Sequence, residues 1–239
     1  DQRNRPMLVV KLDLQVILAV DHFPNAVPGQ FLQVLCAAPQ DSAEAHASAP
    51  RRPATSGAKP EQNSTFYGPM LRKPFSIAGL RRVGNTSEIE LIGRVVGQGT
   101  AWLSALEPGD RVDVLGPLGR GFTPPPPGNK VLLLAGGVGL PPIRWWGQVL
   151  REQHRDCEMI YGAQSRDTLP VQLCDEPSTE GDFGLCAEEL AACGIPTMIT
   201  TDDGSCGLKG RVTDGLLRYF AHSAAHPLRV SVYACGSLP

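Results

Sequence analysis

The segment VLLLAGGVGLPP at Val131–Pro142 constrains the fold more than any other part of the chain. It is a short apolar run that passes straight into a glycine-rich loop and then into a proline-started helix. Pro141 suits the first helical turn, where its missing N–H is harmless. The loop is not GxGxxG, so the dinucleotide fingerprint is absent. Gly136, Gly137 and Gly139 still allow a pyrophosphate to approach the backbone closely. Three glycines in four residues exceed what a tight strand-to-helix turn needs, which favours binding over a bare turn. After this loop, strands EMIYGA, TMITT and RVSVYA alternate with helical stretches AEELAAC and TDGLLRYFA. That rhythm predicts a parallel sheet with helices on both faces, an α/β fold.

The first half has a different rhythm. Met7–Val20 reads as one or two strands, and Pro28-Gly29-Gln30 turns the chain into a strand FLQVLC at 31–36. From about 37 to 68 the sequence is rich in Ala, Pro, Ser, Gln and Gly, and reads as a mobile insertion. Order resumes at Phe75, and EIELIGRVV at Glu88–Val96 is the centre of a second strand pair. A short helix is expected to start at or just after Thr100, with Gly97 and Gly99 in the turn before it. RVDVLG forms a further strand. Residues 7–122 therefore predict a small antiparallel β barrel. The stiff segment TPPPPG at Thr123–Gly128 is the expected boundary, giving a barrel over 1–123 and an α/β domain over 124–239.

The chain of 239 residues suits two domains of ordinary size, and 42% apolar residues suffice for two cores. A net charge of −2 gives no electrostatic footprint for nucleic acid. No apolar run reaches the roughly 18 residues that would predict a membrane helix. Seven cysteines, none spaced as CxxC, suggest neither a disulfide framework nor a zinc site. Reduced thiols and a cytoplasmic location are the expectation. The five histidines form no ligand-spaced cluster, so no metal role is assigned.

Several segments carry residues suited to cofactor chemistry. LRKPFSIAG at Leu71–Gly79 offers Phe75 as an apolar wall for an isoalloxazine ring. Ser76 and Ile77 offer hydroxyl and backbone donors, and Arg72 or Lys73 offers charge beside Pro74. Alone, this strand is a weak motif. Gly99 and Thr100 lie where backbone amides and a helix N-terminus would meet a phosphate. Thr100 as a helix cap is compatible with that. Arg94 is a second candidate cation or an exposed strand arginine. The turn GPLGRGF at Gly116–Phe122 requires positive-φ glycines and could line the flavin face. YGAQSRD at 161–167 ends a strand at the sheet's carboxyl edge, where Ser165 and Arg166 could touch an adenosine ribose. The choice between NADH and NADPH stays open. In TDDGS at Thr201–Ser205 the two aspartates could contact cofactor, although a turn is the better reading. YACG places Cys235 and Gly236 at the same edge. Cys235 is either a residue beside the nicotinamide or a buried small apolar one.

Taken together and in this order, these segments resemble the ferredoxin reductase-like flavoproteins. Within them the chain is most similar to the electron transfer subunits of dihydroorotate dehydrogenase B. The resemblance rests on PGQF, LRKPFSI, RVVGQGT, GDRVDVLGPLGRGF, LLLAGGVGLPP, YGAQSRD, TDDGS, KGRVTD and VYACG. It implies FAD in the first domain and NAD(H) in the second. The family arginine before Pro-Phe-Ser contacts the flavin phosphates, and Lys73 occupies that position. Ile92, Gly93 and Arg94 match the next flavin-contacting strand, with Gly93 where tyrosine is usual. Gly99 and Thr100 match the phosphate turn, and Ser237 stands where proline is usual. Family members continue into a cysteine-rich segment that holds a [2Fe–2S] cluster. The sequence runs from Asp1 to Pro239 and is expected to be a piece of a longer form that carries the cluster.

The expected function is therefore electron transfer. Electrons would pass between NAD(H), FAD and, in the longer form, a [2Fe–2S] cluster. The implied partner is a dihydroorotate dehydrogenase catalytic subunit, in a hetro-oligomer of pyrimidine biosynthesis with no membrane and no nucleic acid. Two alternatives remain open at this stage. One is a related NAD(P)H-dependent reductase for ferredoxin, sulfite reductase or hydrogenase. The other is a degenerate scaffold that binds no flavin.

Overall fold

The structure is a computed structural model that describes residues 14–36, 71–223 and 229–236. The 37–68 insertion, the start of the 7–20 stretch and Ser237 lie outside the described residues.

Five strands form an antiparallel sheet: β1 (Leu14–Asp21), β2 (Phe31–Leu35), β3 (Lys73–Val83), β4 (Thr86–Gly93) and β5 (Asp113–Leu118), in the order β1-β4-β3-β2-β5. β1 and β4 pair without a break from Leu14 opposite Gly93 to Asp21 opposite Thr86. Alternation along β4 sends Ser87, Ile89 and Leu91 inward while Glu88 and Glu90 stay half-exposed. A core of Leu32, Val34, Phe75, Ile77, Ile89, Leu91 and Leu103 fills this half. One register irregularity breaks the β3–β4 ladder between Ile77 and Gly79, at Ala78. β4 ends at Gly93, three residues short of the expected strand, so Arg94 lies just beyond it. Helix α1 spans Gln98–Ser104 and starts earlier than expected, with Gly97 as its cap and Gly99 in its first turn.

The second sheet is parallel. Its strands are β6 (Lys130–Gly136), β7 (Cys157–Ala163), β8 (Thr197–Thr201), β9 (Leu208–Lys209) and β10 (Val230–Cys235), in the order β10-β6-β7-β8-β9. Helices α2 (Leu140–Glu152) and α3 (Glu188–Ala192) cover one face, with Leu133, Met159, Tyr161 and Ile199 in the core beneath. Helix α4 (Val212–Ser223) covers the other over Leu132, Leu134, Ile160 and Met198. Consecutive residues of β6 thus serve opposite cores, which is why its sequence lacks alternation. The fold agrees with the expected α/β half after an antiparallel half.

Helix α2 is shared by the two halves. Trp145, 7% exposed, belongs to the core of the antiparallel half, and Trp146, 4% exposed, to that of the parallel half. Phe122 packs against Trp146 and Tyr233 at ring-centre distances of 6.0 and 5.7 Å. The Tyr233 hydroxyl donates to Thr123 O at 2.7 Å, so the proline segment is tied at its start. Among the described residues no helix is long and apolar enough to cross a membrane.

At the end of β8 the Thr201 hydroxyl donates to Cys206 O at 2.7 Å and accepts from Cys206 N at 3.0 Å, all of it buried. Thr201→Val leaves both backbone groups without a partner and should lower stability by about 1–3 kcal/mol, measured by urea denaturation.

Candidate functional site

A cleft of about 630 Å³ opens between the halves, within the size range of small-molecule sites. Ile92, Gly93 and Arg94 form the wall on the antiparallel side. The parallel half supplies Gly136–Val138, Leu140 and Pro141 from the glycine loop, Tyr161–Gln164 from the end of β7, Asp202 after β8, and Arg211–Thr213 at the start of α4. Successive strands run to one side of β6 while β10 lies on its other side. The cleft therefore sits at the carboxyl edge where the strand order reverses, the usual ligand position in open parallel sheets.

The three loop glycines have different reasons for being there. A Cβ on Gly137, whose φ is +51°, would meet nothing within 4 Å. One on Gly136 would meet only the Gly236 Cα, at 3.8 Å. These two face open space. Gly139 is buried and does not line the cleft. A Cβ there would fall 2.0 Å from the carbonyl oxygen of Cys235. It is a packing glycine that lets α2 start against the end of β10. The Tyr161 hydroxyl donates to Gly137 O at 3.4 Å and steadies the loop. Burial pushes the Tyr161 phenol far above its ordinary range, against the pull of Arg94, so it remains a neutral donor.

Ser165 and Arg166, the residues expected on the adenosine side, sit in the loop after β7. Neither Ser165 nor Arg166 lines the cleft; Gln164, Asp167 and Thr168 do. Ser165 N donates to the Thr168 hydroxyl at 2.9 Å. Arg166 holds Glu176 through both guanidinium nitrogens, at 2.6 and 3.0 Å. The neighbouring loop is stitched to this one: Asp202 N donates to Ala163 O at 3.1 Å, Asp203 N to Gln164 O at 3.2 Å, and Arg166 N to the Ser205 hydroxyl at 2.8 Å. Asp203 takes the turn role, accepting from Ser205 N and Oγ, which hold its carboxyl below the usual range. Asp202 instead reaches the cleft.

On β3 the assignments divide. The Arg72 guanidinium is paired with Asp113 at 2.7 Å and bonded to Asp113 O at 3.3 Å, so its charge is engaged at β5. Lys73 and Pro74 are exposed, and the Lys73 stem runs beside Gly99. The Phe75 ring lies in the core, 8% exposed, rather than standing free as a wall. The Ile77 amide donates to Gln30 O at 3.0 Å and is not a spare donor. Ser76 is half-buried, opposite Phe31. The Thr100 hydroxyl accepts from Val96 N at 3.0 Å and Gly97 N at 3.1 Å, so it serves the helix cap. Cys235 stands at the sheet edge as expected, but its half-buried side chain packs on the core and does not line the cleft. Burial raises its thiol pKa, which keeps it protonated.

One cluster escaped the sequence reading. Arg144 on α2 is 3% exposed and donates to Glu90 of β4, to Ala78 O of β3 at 3.3 Å, and to Glu189 Oε2 of α3 at 3.1 Å. The one hint in the sequence is a charge inside the apolar run LPPIRWW.

No family model matches the chain. The dihydroorotate dehydrogenase B (NAD(+)) electron transfer subunit of Desulforamulus reducens is 36% identical over 194 residues, which is 81% of this chain and 57% of that protein. The chain thus spans little more than half the length of that relative. Among solved structures, an NADH-dependent reduced ferredoxin-NADP oxidoreductase superposes with a TM-score of 0.57 at 21% identity, covering 90% of this chain and 64% of the other. The flavohem-like FAD/NAD binding domain of a Vibrio cholerae nitric oxide dioxygenase gives a TM-score of 0.52 at 14% identity, covering 92% and 91%. The chain therefore has the ferredoxin reductase-like FAD/NAD-binding fold, and over most of its length its sequence is similar to a dihydroorotate dehydrogenase B electron transfer subunit.

Proposed function

We propose that this chain is the flavin- and nicotinamide-binding part of an oxidoreductase subunit that carries electrons to or from a dihydroorotate dehydrogenase catalytic subunit. The carrying observation is the cleft with one wall from each half. A nicotinamide nucleotide fits the parallel side, because the space over Gly136 and Gly137 is open and ringed by strand ends. A flavin fits the antiparallel side, where Ile92, Gly93 and Arg94 face the same space. When bound, the two cofactors supply hydride exchange and the passage of single electrons.

The chain's own residues bind and orient. Lys73, exposed beside Gly99, is the cation for the flavin pyrophosphate, since Arg72 is committed to Asp113. Arg94 offers a second positive charge inside the cleft. Gly136 and Gly137 admit the nucleotide phosphates, and Tyr161 holds their loop. Gln164, Thr168 and Asp202 border the adenosine side. Cys235 and Gly236 close the sheet edge nearest the nicotinamide, with the Cys235 thiol kept neutral. We place the barrel over 1–123 and the nucleotide domain over 124–239, with a [2Fe–2S] cluster in a longer form. The setting we assign is a cytoplasmic hetero-oligomer of pyrimidine biosynthesis.

The deciding measurement is the visible spectrum of the full chain with added FAD, before and after anaerobic NADH. Bound flavin bands that bleach on NADH support the reading. A chain that retains no FAD rejects it. Lys73→Gln should weaken FAD binding by about ten-fold or more in a flavin titration, the worth of one charge-assisted contact. An unchanged affinity would remove Lys73 from the phosphate site.

A further inference from the structure

Arg144 of α2 joins β3 and β4 of the antiparallel half to α3 of the parallel half, and its Glu90 contact lies two residues from the cleft wall. Ala78 directly follows Ile77 of the KPFSI segment on β3. The register irregularity at this point is a bulge-like feature, and such features re-aim backbone groups. Here the Ala78 carbonyl accepts from Arg144. Gly79 leaves room beside it: a Cβ there would lie 3.0 Å from Glu90 Oε2. Glu90 stands two residues before Ile92, the start of the cleft wall, and its other oxygen accepts from Gln15 Nε2 of β1 at 2.8 Å. Arg144 itself lies one helical turn after Leu140, which with Pro141 borders the cleft.

Stability is a poor reason for this cluster. Three charges leave water to form it, and an apolar trio of similar volume often serves a fold equally well or better. It is also incompletely satisfied, because Arg144 Nε and Glu189 Oε1 are buried without hydrogen-bond partners. What the cluster offers is direction. A planar guanidinium fixes three acceptors in a set relation, which apolar packing or a lysine does not.

We infer that Arg144 is a positioning residue that holds the glycine loop of the parallel half at a fixed distance from the β3–β4 strands of the antiparallel half. This rests on the cofactor assignment above. Its consequence is that hydride donor and acceptor meet in reacting geometry without a search.

The test uses the full chain loaded with FAD and mixed rapidly with NADH. Arg144→Ala alone strands the buried Glu189 carboxylate and takes a partner from half-buried Glu90, so the main variant is the triple exchange Arg144→Met, Glu90→Gln, Glu189→Leu, with Arg144→Lys beside it. The triple variant should fold and bind FAD and NADH within about three-fold of wild type, yet reduce its flavin about 100-fold more slowly at saturating NADH, the size of effect a 1 Å misplacement produces. The long-wavelength charge-transfer absorbance that NAD+ gives with reduced flavin should weaken in parallel, and Arg144→Lys should fall between. A wild-type limiting rate in the triple variant, or a loss confined to NADH affinity, overturns the inference. If wild type itself is not reduced by NADH, the cofactor assignment fails instead. Calorimetry of the cofactor-free chain then decides: one unfolding transition in wild type splitting into two in the triple variant supports Arg144 as the joint, and no change overturns it.

Discussion

Arg144→Ala should lower the stability of the chain by about 3–5 kcal/mol, the cost of leaving a buried charge without its partner. Glu189, 2% exposed, would lose its ion pair, while Glu90 would keep its bond to Gln15 and some water. The loss should depend on pH in a defined direction. Burial raises the Glu189 carboxyl above its ordinary 4.5, with Arg144 opposing and Glu90 and Glu188 reinforcing the rise. A raised folded value means that the group's contribution is complete below the unfolded value and is lost as pH climbs through the folded one. Wild-type stability should therefore decline from pH 4.5 upward through Glu189's raised value. Without Arg144 the opposing charge is gone, so the decline should be steeper and extend to higher pH. Adding Glu189→Gln should flatten it. Urea midpoints across pH for the three proteins check this. A pH-independent loss in Arg144→Ala would mean that Glu189 does not titrate in that window.

Gly139→Ala should be nearly as damaging, by about 3 kcal/mol or more, because overpacking against backbone has no side chain that can yield. The added Cβ would lie 2.0 Å from Cys235 O, 2.3 Å from Cys235 C and 2.6 Å from Gly236 N. The φ of −78° at Gly139 suits alanine, so the penalty is spatial, not conformational. Relief requires the end of β10 to move away from α2, taking Gly236 from beside Gly136. Nucleotide binding should fail together with stability. Gly137→Ala is the contrasting case. It has space around it, so its modest cost should come from the φ of +51°. Thermal melts and NADH titrations of both variants separate close approach from backbone freedom.

Much of the architecture was legible because it depends on local patterns. Strands alternating with helices after the glycine loop announced a parallel sheet covered on both faces. Pro141 and the three glycines located the start of α2 to within a residue or two. The site was less legible because it depends on which partners each side chain finds after folding. Arg72 and Lys73 are adjacent cations in sequence, and only the approach of Asp113 on β5 separates their roles. Arg166 reads as a ribose contact until Glu176, ten residues on, takes both its nitrogens. Arg144 was missed because a charge within an apolar helix has no local explanation. Its acceptors sit 66, 54 and 45 positions away along the chain.

The stitching between the loops after β7 and β8 has a thermodynamic consequence. Backbone amides of Asp202, Asp203 and Arg166 are already bonded across the two loops before any ligand arrives. Conformational entropy that a loose rim would surrender on association has been surrendered during folding. A nucleotide arriving there would give up mainly its own translational and internal freedom. Its release would then be governed by the contacts it breaks, not by waiting for a lid to open.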